Sequence, residues 1–102
     1  MPEQEMPSDE EVRSAVAAFS MLAEPTRLRL LWLMASQEMD VGTLSSLVGS
    51  NPSTVSQHLA KLRLAGLVDS RRAGRHVLYR ARDGHVRTVI GEALSHASEG
   101  GR

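Results

Sequence analysis

The 102 residues, 41% of them hydrophobic, suffice for one domain with a single core, and the absence of cysteine excludes disulfides, thiolate metal sites and thiol redox switches. No apolar run approaches the ~20 residues that span a bilayer and no signal-peptide pattern opens the chain, so a cytoplasmic protein is expected. The formal net charge is zero, but residues 1–40 hold eight acids against three arginines and residues 53–87 eight bases against two aspartates, a segregation that suits a polyanionic partner.

Residues 1–8, with two prolines and no periodicity, read as a flexible tail, and 9–102 as the domain. Ser8 or Asp9 can cap a first helix whose opening acids complement the helix dipole. Its expected buried stripe is Val12, Ala15, Val16, Phe19 and Leu22. Glu24-Pro25 breaks that helix and starts a second, with Leu28, Leu31, Trp32 and Ala35 toward the core. Arg27 and Arg29 fall off that face and are expected on its solvated side. With one Phe, one Trp and one Tyr, the core must come from Leu, Val, Ala and Met, and a dimer would bury more surface.

A short helix over about Val41–Val48, the turn Gly49-Ser50-Asn51 and a helix over about Pro52–Ala65 ended by Gly66 make a helix-turn-helix. In the last of these, Val55, Leu59 and Leu62 must face the core. Ser53, Gln57 and Ala60 point the other way, flanked by Thr54, Ser56, His58 and Lys61. Short donors and acceptors of this kind permit close approach to base edges in a major groove, with Gln able to pair with adenine. For His58 a half-buried polar flank is an equal alternative. Strand-like runs from Leu67 and from His76 surround Ala73-Gly74-Arg75, a hairpin with Arg71, Arg72 and Arg75 near its tip for phosphate contacts. His76 is a strand or phosphate-contact residue, since no ligand spacing surrounds it. Helix-turn-helix plus basic hairpin gives a winged helix.

The final stretch reads as one helix of about 15 residues, with Val86, Val89, Ile90, Ala93, Leu94 and Ala97 as its apolar stripe. His85 and His96 lie eleven residues apart, near one face but about 16 Å apart along the axis. Each has a carboxylate close by, Asp83 and Glu99. Bonds of about 2 Å cannot join both ends to one ion. Two such helices packed antiparallel about a two-fold axis bring Asp83 and His85 of one chain to His96 and Glu99 of the other, and symmetry repeats the site. Two imidazoles and two carboxylates suit a four-coordinate divalent metal. The bland alternative is four solvated polar residues on a terminal helix, which is how Glu92 is read.

Leu22-Ala23-Glu24-Pro25-Thr26-Arg27-Leu28-Arg29-Leu30-Leu31, Ser53-Thr54-Val55-Ser56-Gln57-His58-Leu59, Leu64-Ala65-Gly66-Leu67-Val68 and the wing Arg72-Ala73-Gly74-Arg75 resemble the ArsR/SmtB family of bacterial winged-helix metal-responsive repressors. The resemblance implies a mainly α fold with a small β-hairpin, a winged helix-turn-helix dimerised through its N- and C-terminal helices. It implies an apo homodimer on double-stranded operator DNA that metal releases, derepressing efflux or resistance genes. Asp40 and Gly42 occupy the positions where other members carry cysteine ligands, so that site is missing. Asp83, His85, His96 and Glu99 match the C-terminal-helix site of the zinc and cobalt sensors. The family's nickel sensors recruit extra terminal histidines, and none precedes His58 here. Zn(II) is therefore expected first, Co(II) as an in-vitro equivalent and Ni(II) as runner-up. The resemblance also implies that His96 reaches a carbonyl near Gly66.

Two other readings compete: a repressor of the same family answering nickel, cobalt or a non-metal signal, and a winged helix used only for protein–protein assembly. The basic segment 61–82 argues against the latter. An enzyme with a small organic substrate is not expected, because no nucleophile or phosphate-binding motif appears.

Overall fold

The structure, a computed structural model, describes residues 5–100. Five helices and one hairpin follow in the order α1 (Asp9–Leu22), α2 (Pro25–Met34), α3 (Val41–Val48), α4 (Pro52–Leu64), β1 (Val68–Ala73), β2 (His76–Ala81) and α5 (His85–Gly100). The expected tail over 1–8 lies partly outside the described residues, and Ser8 belongs to the cap of α1.

Local chemistry sets the helix starts. At α1, Ser8 Oγ accepts the Glu11 N–H at 3.0 Å while Glu11 Oε1 accepts the Ser8 N–H at 2.8 Å, a reciprocal capping box. Asp40 and Asn51 cap α3 and α4 by accepting from Thr43 and Thr54, each at 2.8 Å. Glu24 caps α2, accepting the Arg27 N–H at 2.7 Å, with Pro25 in the first turn. Gly49 ends α3 with φ 72°, a left-handed turn that lets α4 begin three residues later.

The hairpin is antiparallel, registered from Val68 opposite Ala81 to Ala73 opposite His76. A two-residue loop, Gly74-Arg75, joins the strands, with Gly74 at φ 64°, the glycine-first arrangement suited to the strand twist. Met39 adds a bridge to the outer edge: it donates to the Tyr79 carbonyl at 3.0 Å and accepts the Tyr79 N–H at 2.8 Å. The wing is thus tied to the segment between α2 and α3.

Leu30, Leu31, Met34, Met39, Leu44, Val55, Leu59, Leu62, Val68, Val86 and Ile90 form the core. They come from α2, α3, α4, β1, α5 and Met39, and none from α1. The sequence pattern placed Val12, Ala15, Val16, Phe19 and Leu22 of α1 in a buried stripe; instead Val12, Val16 and Phe19 are 45%, 60% and 57% exposed. In α5 only Val86 and Ile90 are buried, and Val89 and Leu94 stay open. Periodicity reports which face is apolar, not which chain covers it. A compact domain of this length has a radius of gyration near 13 Å, whereas this one measures 15.4 Å, with extents of 52 × 36 × 20 Å. The excess reflects helices that pack only partly on their own chain.

In α2 the buried residues are Leu30, Leu31 and Met34, while Leu28 and Trp32 are half-buried. Leu59, 1% exposed, joins α4 to this core. Leu59→Ala should cost about 2–5 kcal/mol by cavity formation, read as a lower urea midpoint at unchanged slope.

Candidate functional site

The outward face of α4 is short and polar. Ser53, Ser56, Gln57, Ala60 and Lys61 are exposed, while Val55, Leu59 and Leu62 on the reverse are buried. Thr54 is half-buried. The buried stripe clamps the helix onto α2 and α3, so its polar face is held outward.

His58 stands apart from that face. Its side chain is 16% exposed and turns toward the start of α2: Nδ1 lies 3.5 Å from Arg27 Nη1, and Nε2 lies 4.0 Å from Glu24 Oε1. Arg27 corrects the expectation of a solvated surface residue: it is half-buried, and its Nε donates to the Met21 carbonyl of α1 at 2.9 Å. The Glu24 carboxyl is held below its usual range, chiefly by the Arg27 N–H it accepts, against a smaller upward push from burial.

The wing separates its cations into two kinds. Arg71 gives a two-pronged contact to Glu38, Nε at 2.7 Å and Nη2 at 2.8 Å, and Arg82 closes on Asp69 at 2.9 Å. His76 Nδ1 lies 3.2 Å from Asp40 Oδ2, joining the wing to the cap of α3. Arg72 and Arg75, beside and within the loop, are exposed and enter no ion pair among the described residues. Arg71 is therefore a wing brace, although half its side chain remains in water.

Asp83, His85, His96 and Glu99 are all exposed, at the two ends of α5. Among the described residues of one chain, no three His, Asp or Glu gather around a common point. Asp83 Oδ1 accepts the backbone N–H of His85 at 2.9 Å, which ties the carboxylate to the first turn of α5. Both residues line a cleft of about 240 Å³ between α1 and α5, together with Phe19, Leu22 and Val89. Asp83 and His85 thus border the uncovered apolar faces.

Sequence reasoning missed two ties. One is the Glu24–Arg27–His58 cluster, whose only local signal is the capping spacing from Glu24 to Arg27. The other fastens α5 to α2: Arg87 stacks 4.9 Å from the Trp32 ring and donates to Ser36 Oγ at 2.9 Å. Neither partner pair is close enough in sequence to be read from periodicity.

Residues 24–70 match a family model described as bacterial regulatory protein, arsR family. Over 93 residues the chain is 44% identical to the HTH-type transcriptional regulator KmtR of Mycobacterium tuberculosis, covering 91% of this chain and 72% of that protein. The solved structure of AntR, an antimony-specific transcriptional repressor, superposes with a TM-score of 0.87 at 30% identity, covering 98% of this chain and 91% of that one. Mb0332 of Mycobacterium bovis, solved as a homodimeric winged helix-turn-helix DNA-binding domain, gives 0.81 at 28% identity, with 97% and 92% covered.

The wing pairs carry a pH signature. The carboxyls of Glu38 and Asp69 lie below their usual values, first because of hydrogen bonds from Arg71 and Arg82. A depressed folded-state value means that the contribution is complete above the unfolded carboxylate value and is lost as pH falls through the folded one. Stability should stay level from neutrality to about pH 5 and decline below about pH 4. In Glu38→Gln the decline measured by urea unfolding should be shallower; equal declines would show that the pair contributes nothing to it.

Proposed function

The chain belongs to the arsR family of bacterial regulatory proteins, and we propose that it is a metal-responsive transcriptional repressor acting as a homodimer on operator DNA. The observation that carries this reading is the division of α5. Two donor pairs stand at opposite ends of a helix whose apolar stripe is left half uncovered, so an antiparallel partner helix answers both needs at once.

In this reading Ser53, Thr54, Ser56, Gln57 and Lys61 of α4 meet the major groove, while Arg72 and Arg75 hold phosphates beside it. Arg71 contributes mainly by bracing the wing on Glu38, and His58 by holding α4 to α2. The uncovered faces of α1 and α5 form the dimer interface.

The donor set fits a divalent metal, Zn(II) first: imidazole and carboxylate only, all exposed, with Asp83 tied to the start of α5 by the His85 backbone N–H. Asp83 and His85 of one protomer would hold the ion with His96 and Glu99 of the partner subunit. When bound, the ion supplies fixed bonds between the two α5 helices. The chain's own residues convert that into a change at DNA. Val86, Ile90 and Arg87 fasten α5 to α2, and α2 carries α4 through the core and through His58. Half-sites lie about 34 Å apart on one face of the duplex, so a small rotation of one protomer spoils simultaneous docking. A coupling of about 1–3 kcal/mol would change operator affinity roughly 5–150-fold, and DNA must weaken metal binding by the same factor.

Metal stoichiometry tests the site. The dimer should take up two Zn(II) ions, and His96→Ala should take up none at that affinity while still dimerising. Operator affinity unchanged by metal, with all four residues intact, would leave a repressor answering another signal.

Salt titration tests the interface. Arg72→Ala or Arg75→Ala should weaken binding to all sequences alike and lower the slope of log affinity against log salt by about one each. A change confined to one base position would mean base reading instead.

A further inference from the structure

Arg27 joins three helices. Its backbone N–H caps α2 on Glu24, its Nε donates to the Met21 carbonyl, and its Nη1 faces His58 Nδ1. Met21 lies in the last turn of α1, where backbone carbonyls lack helical partners and a cation is favoured by the dipole. No basic side chain of α1 occupies that turn, so Arg27 supplies the cation from the next helix. On the other side the guanidinium, which can only donate, lies 3.5 Å from His58 Nδ1, and His58 Nε2 lies 4.0 Å from Glu24 Oε1.

The hydrophobic driving force is non-directional, whereas guanidinium contacts to two partners favour one orientation. α1 carries the uncovered face of Val12, Val16 and Phe19. α4 carries the exposed polar face of the helix-turn-helix. We propose that Arg27 is a positioning residue that sets α4 against α1, so that the separation of the two α4 helices in the homodimer, and with it the preferred spacing of DNA half-sites, depends on the Met21–Arg27–His58 contact. This rests on the reading of α4 as the DNA-docking helix.

Arg27→Lys keeps the charge but loses the fork that reaches two partners at once. The probe is a duplex of about 30 base pairs, selected by the wild-type dimer from a randomised pool, long enough for two half-sites. It is paired with a duplex carrying one half-site, and with versions in which the spacer is one base pair longer or shorter. Arg27→Lys should lose about tenfold on the two-site duplex, stay within about twofold on the half-site at low salt, and recover on an altered spacer. Equal loss on both duplexes, or no loss, overturns the proposal, since a merely structural defect in α4 would weaken both. Should the lysine variant melt early or fail to dimerise, Arg27→Gln is measured on the same duplexes, where selective loss on the two-site duplex again supports the proposal and equal or absent loss overturns it. A wild-type dimer that retains no duplex from the pool overturns the reading of α4 itself and this inference with it.

Discussion

Apolar surface left in water forgoes about 25 cal/mol for each Å² that could be buried, and α1 leaves most of its apolar stripe there. Val12, Val16 and Phe19 contribute nothing to the core of their own chain. Val89 and Leu94 of α5 are exposed in the same way. A domain of this size, with a core of eleven side chains and no buried aromatic, has little stability to spare for such exposure. The arrangement makes sense when the two end helices are halves of an interface. A pair of DNA half-sites requires two winged modules joined at a defined angle.

Charge follows a similar logic of shared use. The basic half of the chain looked like a uniform footprint for phosphate. The structure divides it: Arg71 and Arg82 are engaged by Glu38 and Asp69, and Arg87 lies on Trp32. What remains for a polyanion is Lys61 and Arg63 of α4 and Arg72, Arg75 and Arg80 of the hairpin, exposed and in no ion pair among the described residues. Counting bases overstates the free field, but the bases that survive the count all belong to α4 and the hairpin.

The fold was legible because its signals are local. Ser8 and Asn51 cap helices as their chemistry dictates, Gly49 supplies the left-handed turn, and the hairpin loop takes its glycine first. The two ends of α5 were legible as a spacing. What could not be read was which apolar stripe its own chain covers, because α1 and the core helices show the same periodicity. The Glu24–Arg27–His58 cluster was hidden for a different reason. Arg27 falls on the solvent side of a helical wheel drawn for α2 alone, and only the docking of α1 and α4 around it turns that side inward.

That docking singles out α2 as the element through which signals must pass. α1 reaches it through Arg27 and Met21, α4 through His58 and the core leucines, and α5 through Val86, Ile90 and the Arg87–Trp32 stack. The wing reaches the same neighbourhood through Met39 and Tyr79. A change of angle between two α5 helices cannot stay in α5, because its buried residues share one close-packed core with α2, and such cores transmit strain. The same core reaches α4 through Val55, Leu59 and Leu62, and the polar cluster at the start of α2 adds a directional contact. The donor pairs of α5 and the polar face of α4 lie on different helices, and both helices pack on the ten-residue α2.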